Sequence, residues 1–97
     1  MKRDIILKEL SKHQAELKSR FGVKSLSLFG SVARNEAVSA SDLDILVSFI
    51  NTPGIFGFIN LKLYLENLFK CSVDLVTNNA LKKQLREHIL QEAIYAF

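Results

Sequence analysis

The sequence predicts an α/β fold in which a small mixed sheet of about three strands packs against about four helices. Stretches with apolar residues at every third or fourth position alternate with short apolar runs that are typical of strands. The chain has 97 residues, of which 48% are hydrophobic, so it can bury a packed core. We therefore expect one domain that spans residues 1–97.

The composition restricts the setting and the ligands of the protein. The net charge of +3 suits anionic ligands such as nucleoside triphosphates, but it is too mild to argue for direct binding of nucleic acid. The single cysteine, Cys71, precludes an internal disulfide and fits a reducing compartment. No apolar run approaches the length of a membrane span, and the charged N-terminus is unlike a signal peptide. We therefore expect a cytoplasmic protein.

The N-terminal third is expected to form a helix and then a strand. Apolar residues at steps of three and four predict an amphipathic helix over residues 4–20. Gly22 is suited to end this helix in the left-handed conformation. His13 lies on its apolar side without a second metal-type ligand, so we expect a partly buried helix residue. The first strand is predicted at about residues 24–29.

The remaining elements follow the same two periodicities. They are a short helix after Gly30, a strand at about 43–49, a helix at about 57–69, a strand at about 71–77 and a last helix at about 80–95. Asn78 or Asn79 is expected to cap the last helix. The inner face of that helix is expected to carry Leu81, Leu85 and Ile89.

The clearest candidate site is an acidic pair at the start of the second strand. Asp42 and Asp44 are two residues apart and should point to the same face, while Leu43 points into the core. Two carboxylates about 4 Å apart repel by roughly 4 kcal/mol in a surface-like dielectric. Asp74 adds a third acid to this face if the second and third strands are neighbours. Oxygen ligands without nearby His or Cys favour Mg²⁺ or Mn²⁺ over zinc.

A glycine–serine pair stands where the first strand meets the short helix. Gly30 and Ser31 offer backbone N–H groups and a hydroxyl, which together suit a phosphate group. The alternative for this pair is a purely structural turn with a helix cap. Arg34 could reach the phosphates, or it could hold the loop by pairing with Glu36 or a site acid. A phosphate site beside metal-binding carboxylates indicates phosphoryl or nucleotidyl transfer.

This spacing resembles the signature of the DNA polymerase beta-like nucleotidyltransferase superfamily, in which Gly-Ser and Asp-x-Asp are ten residues apart. Residues 20–94 look like its smallest branch, the minimal nucleotidyltransferase (MNT) family. The resemblance implies the polymerase beta-like nucleotidyltransferase fold, ATP as the substrate and two Mg²⁺ ions bound by Asp42, Asp44 and Asp74. It also implies that Asp74 helps to deprotonate the attacking hydroxyl.

The same resemblance implies a biological role. MNT proteins of this size act as antitoxins that transfer AMP to a tyrosine of a HEPN-domain ribonuclease toxin and thereby silence it. We accordingly expect a protein adenylyltransferase with a HEPN partner. Two alternatives remain open: a non-catalytic antitoxin that neutralises the toxin by binding, and a nucleotidyltransferase that acts on a small-molecule alcohol.

The short chain should leave one side of the nucleotide open, so a partner is expected to complete the site. The apolar C-terminus, residues 94–97, could dock against that partner or join the core. Whether the protein forms a homo- or hetero-oligomer is not decided by the sequence.

Overall fold

The computed structural model describes residues 2–34 and 42–97. Its elements, in chain order, are α1 (Arg3–Lys12), α2 (Gln14–Phe21), β1 (Val23–Phe29), α3 (Gly30–Ala33), β2 (Leu43–Phe49), α4 (Ile55–Phe69), β3 (Val73–Thr77), α5 (Lys83–Glu92) and β4 (Ile94–Tyr95). The predicted α/β class is confirmed, with four strands and five α-helices in the described residues instead of about three and four. Over these same ranges, no helix combines the length and the apolar character that a membrane crossing requires.

The four strands form one mixed sheet in the order β3-β2-β1-β4. β1 is antiparallel to both β2 and β4, whereas β2 and β3 run parallel. The end of β1 therefore lies beside the starts of β2 and β3. This end of the sheet is where the sequence places its glycine–serine pair and its three acids.

The main core lies on one face of the sheet, between the strands and helices α1, α2 and α4. Its buried side chains include Leu26 and Leu28 of β1, Leu43, Ile45 and Val47 of β2, Val73 and Leu75 of β3, and Ile6, Leu10, Leu17, Leu61 and Leu65 of the helices. The prediction that Leu43 points into the core is therefore confirmed. Full burial of one such side chain stabilises a protein by about 1.5–3 kcal/mol.

The opposite face of the sheet is covered as well. Ser27 and Leu46 are paired across β1 and β2 on this face, and both are buried, with Ser27 only 2% exposed. Helix α5 connects β3 to β4, which lie at opposite edges of the sheet, and it contacts β1 and α3. We infer from this path that α5 crosses the second face of the sheet.

The predicted N-terminal helix is wrong in one respect, because it is two helices that meet at His13. The backbone N–H of His13 bonds to the carbonyls of Glu9 and Leu10, and His13 Nδ1 lies 2.9 Å from the Glu9 carbonyl oxygen. His13 is half-buried, as expected, and its ring meets the Tyr64 ring edge-on at 6.3 Å between centroids. Gly22 ends α2 with φ +67°, as predicted.

The predicted last helix ends too late. Helix α5 stops at Glu92, Ala93 is extended, and Ile94–Tyr95 pairs with the edge of β1. The backbone N–H of Ala96 also donates to the carbonyl of Leu26 at 2.8 Å. Hydrogen bonds to a strand some 68 residues earlier outweigh the local helical pattern here, since they satisfy an otherwise open sheet edge.

The predicted cap and inner face of this helix also need correction. The N-cap residue is Lys82, without a side-chain cap bond, because Asn78 and Asn79 lie in a separate 3₁₀ turn. Leu85 is 54% exposed, so it does not belong to the inner face, although Leu81 and Ile89 are half-buried.

Candidate active site

Two of the predicted site acids face each other across neighbouring strands. Asp44 of β2 and Asp74 of β3 are partners in the parallel register, so their side chains share one face of the sheet. Their carboxyl groups are close enough that a hydrogen bond between them favours the protonated form of Asp44. Asp42 lies two residues before Asp44 and is close enough for its charge to act on that carboxyl. The structure therefore brings all three acids together.

The environment of Asp44 disfavours its ionised form. Partial burial raises the pKa of the Asp44 carboxyl, and the charges of Asp74 and Asp42, together with a hydrogen bond that protonated Asp44 donates to Asp74, raise it further. The positive charge of Arg34 acts in the opposite direction but does not offset these effects. Among the described residues, the groups around Asp44 thus favour its neutral form on balance, which is a situation that a bound cation relieves.

Gly30 brings the backbone of the glycine–serine turn against these acids. Its φ is +72°, a left-handed conformation that glycine adopts without strain. A Cβ at this position would collide with Asp44 Oδ2, so only glycine lets the carboxylate lie against the backbone. Phe29, the residue before Gly30, is also the β1 partner of Asp44. The turn that contains Ser31 therefore stands directly beside the acidic cluster.

Arg34 has a partner that sequence reasoning missed. Its guanidinium donates to Glu92 Oε2 at 3.1 Å, across 58 positions of the chain. Glu36, one predicted partner, lies outside the described residues. The charge of Arg34 lowers the pKa of Asp44, so the two residues are near each other, and pairing of Arg34 with a site acid stays a prediction. The sequence contained one indication of this contact, because an acid in the last turn of a helix interacts unfavourably with the helix dipole. A nearby cation can offset that interaction for Glu92.

The site offers the right donor atoms for a hard cation but no closed cage. In residues 2–34 and 42–97, no group of three or more His, Cys, Asp or Glu side chains is already placed to hold a metal ion. Asp42 and Asp74 are exposed and Asp44 is half-buried, so their oxygens remain open to added ligands. Mg²⁺ usually keeps several waters and takes oxygens from substrate phosphates, so one or two protein carboxylates suffice. The residues fit Mg²⁺ or Mn²⁺ in chemistry.

The acids stand at one end of the sheet, away from two grooves on the described surface. One groove of about 720 Å³ lies against Arg20 and Tyr64, and a smaller one of about 260 Å³ lies near Lys24 and Asn78. Neither groove is lined by a predicted site residue. Cys71 lies nearby but is a weak nucleophile, because burial, aided by the charges of Glu66 and Asp42, raises the pKa of its thiol.

The chain matches a known family over almost its whole length. Residues 10–96 match the nucleotidyltransferase domain family. The protein adenylyltransferase MntA of Thermococcus cleftensis is 44% identical over 86 residues, which cover 89% of this chain and 87% of that protein. The chain therefore belongs to the nucleotidyltransferase domain family.

Solved structures refine this placement. A candidate minimal nucleotidyltransferase superimposes with a TM-score of 0.81 at 39% identity, covering 97% of this chain and 95% of that one. A complex of tri-AMPylated Shewanella oneidensis HEPN toxin with an MNT antitoxin gives 0.71 at 18% identity, covering 98% and 71%, which supports the fold alone. Within its family the chain is thus a minimal nucleotidyltransferase, and the family and the enzyme class predicted from the sequence are confirmed.

Proposed function

We propose that this protein is a Mg²⁺-dependent enzyme that transfers AMP from ATP to a tyrosine hydroxyl of a HEPN-domain ribonuclease toxin, for which it serves as the antitoxin. The observation that carries the proposal is the placement of Asp42, Asp44 and Asp74 on one patch beside Gly30. The relatives support the partner: one is named a protein adenylyltransferase, and a structure of the same fold contains an AMPylated HEPN toxin.

The proposed reaction is a displacement at the α-phosphorus of ATP. The acceptor hydroxyl oxygen forms a new bond to this phosphorus, and the bond to the oxygen that bridges to the β-phosphate breaks. Pyrophosphate leaves with the bonding electron pair. The hydroxyl proton would pass to the carboxylate of Asp74, an exposed side chain on the edge strand β3.

The other site residues would bind the nucleotide. The backbone of Gly30 and the hydroxyl of Ser31 would bind the triphosphate, and Arg34 would add a positive charge close to the acids. Two Mg²⁺ ions, held by the three carboxylates, would neutralise the charge of the triphosphate and lower the pKa of the acceptor hydroxyl. Without such ions, the acids would repel the phosphates that the reaction requires.

An exposed apolar strip on α4 supports a protein partner. Ile55, Phe56, Ile59 and Leu63 are between 41% and 79% exposed, and three of them recur every fourth residue on one side of the helix. Contiguous apolar surface of this kind commonly marks a protein–protein contact. We expect Phe56→Ser to weaken binding of the toxin, while Ile5→Ser, which removes a similarly exposed side chain from α1, leaves it unchanged.

The test uses the protein, ATP, Mg²⁺ and the HEPN-domain ribonuclease that the proposal expects to be encoded beside it. Intact-mass and peptide mass spectrometry should find AMP on a tyrosine of the ribonuclease, together with loss of RNA cleavage. Asp42→Asn, checked for folding by circular dichroism, should add no AMP. Absence of AMP on the ribonuclease with the wild-type protein would remove the proposal.

A second function, neutralisation by binding alone, is separated by the same experiment. Neutralisation by binding alone would use the apolar strip on α4. Such a function would not require three carboxylates that repel one another to lie close together. If Asp44→Asn stops RNA cleavage as well as the wild-type protein does, binding alone accounts for the antitoxin activity.

A further inference from the structure

We propose that Glu92 is a positioning residue that orients the Arg34 guanidinium toward the triphosphate of the bound nucleotide. The inference rests on the proposed function, because it assigns Glu92 a part in the same site. Glu92 lies at the end of α5, far in sequence from the glycine–serine turn and the acids. It acts through Arg34 and is not itself expected to contact the substrate.

The contacts place Arg34 between Glu92 and the acids. Arg34 follows α3 directly, and its backbone N–H donates to the carbonyl of Gly30 at 3.2 Å, so the two residues are one turn apart. Its guanidinium donates to Glu92 Oε2 at 3.1 Å, and its charge lowers the pKa of Asp44. One end of the guanidinium is thus held by Glu92 while its charge acts on the site.

Glu92 occupies a position that is unfavourable for a carboxylate, which indicates that its contact with Arg34 has a role. Glu92 is in the last turn of α5, where the helix dipole repels a negative charge. Its side chain is only 25% exposed, which removes part of its hydration. The guanidinium of Arg34 offsets this with its positive charge, and the imidazole Nε2 of His88 lies 3.6 Å from Glu92 Oε1.

Another residue already anchors the end of α3, so Glu92 is not needed for that purpose. Arg3 of α1 donates from its guanidinium to the carbonyl of Ala33 at 3.0 Å. The contact of Glu92, in contrast, is with the side chain of Arg34. An arginine side chain has many rotamers, and a fixed carboxylate partner restricts them to those that keep the guanidinium beside the site.

The first test is a double-mutant cycle on the kinetics of AMP transfer. Glu92→Gln should lower kcat/KM for ATP about tenfold, which is the loss expected for one charge-assisted hydrogen bond. In an Arg34→Ala background the same change should alter kcat/KM less than about twofold. Glu87→Gln, an exposed glutamate of the same helix, is the matched control and should have no effect. An equal loss in both backgrounds, or no loss in either, would overturn the proposal.

The second test needs no activity. The Nε–H signal of Arg34 in a ¹⁵N-correlation NMR spectrum, identified by its absence in Arg34→Lys, should be sharp in the wild-type protein. It should shift on addition of ATP and Mg²⁺ and broaden in Glu92→Gln. An Arg34 signal that is the same with Gln at position 92 refutes the positioning role even where AMP transfer occurs. A wild-type protein with the expected Arg34 signals but no transfer refutes the proposed function instead.

Discussion

Asp44→Asn should raise the melting temperature of the magnesium-free protein at neutral pH, although it should abolish AMP transfer. The asparagine has nearly the same shape and can donate from its amide to the Asp74 carboxylate, so the contact between β2 and β3 survives. What disappears is one negative charge that two other acids repel. The protein therefore loses a repulsive interaction and keeps its packing.

The size of the effect follows from the spacing and exposure of the acids. Two unit charges about 4 Å apart repel by about 1 kcal/mol in bulk water and by about 4 kcal/mol near a protein surface. Asp42 and Asp74 are exposed and Asp44 is half-buried, so the lower end applies, and we expect a gain of about 1 kcal/mol. For a domain of 97 residues this corresponds to a rise of roughly 4–8 °C.

The effect has a defined pH dependence. Because the pKa of Asp44 is raised on folding, the folded state binds a proton more tightly than the unfolded state does. Ionisation of Asp44 therefore destabilises the wild-type protein as the pH rises through the raised pKa. The difference between Asp44→Asn and the wild-type protein should be largest at pH 7 and should shrink toward the ordinary pKa of an aspartate, about 3.9.

Thermal unfolding followed by circular dichroism in EDTA measures this directly, with Glu87→Gln as a control that removes a charge away from the cluster. Addition of Mg²⁺ should then raise the melting temperature of the wild-type protein more than that of Asp44→Asn, because the variant has lost a ligand. A melting temperature of Asp44→Asn in EDTA at or below that of the wild-type protein would refute the reasoning.

Three further predictions follow from individual residues. Gly30→Ala should lower the free energy of unfolding by about 1–3 kcal/mol, because Gly30 has a φ of +72° and the Asp44 carboxylate lies against it. Gly54→Ala should lower it by less than about 1 kcal/mol, because a Cβ there would meet no atom within 4 Å. Equal midpoints of urea unfolding for the two variants would contradict this difference. Leu61→Ala should lower the free energy of unfolding by about 2–5 kcal/mol, whereas Leu85→Ala, at an exposed position, should change it by less than about 0.5 kcal/mol. Similar losses for the two variants would contradict the placement of α5. Cys71 should react with iodoacetamide at pH 8 more slowly than free cysteine, since its raised pKa leaves less thiolate; a faster reaction would argue against its burial.

The parts of the fold that local patterns decide were predictable from the sequence. The second strand has the predicted bounds, and Gly22 adopts the predicted left-handed conformation, because alternation and glycine chemistry act over a few residues. The closeness of Asp42 and Asp44 is local in the same way. The closeness of Asp74 to these two acids required β3 to lie beside β2, and the parallel pairing of the two strands meets this condition.

The parts that depend on distant partners were not predictable. β4 is a strand because it pairs with the edge of β1, and no local sequence pattern around Ile94 predicts that pairing. The partner of Arg34 lies 58 positions away on α5, so only the unfavourable place of Glu92 at a helix end hinted at it. The break at His13 arises from hydrogen bonds to the preceding turn, without a glycine or proline to mark it.

The central claim, AMP transfer by a carboxylate-bound Mg²⁺ site, is tested most directly with ATP that carries its label on either the α- or the γ-phosphate. In the presence of Mg²⁺ and the HEPN ribonuclease, the α-label should become covalently attached to the ribonuclease, while the γ-label leaves with pyrophosphate. Asp42→Asn should prevent attachment of the α-label. Attachment of the γ-label, or of the α-label to the same extent with Asp42→Asn, would contradict the account.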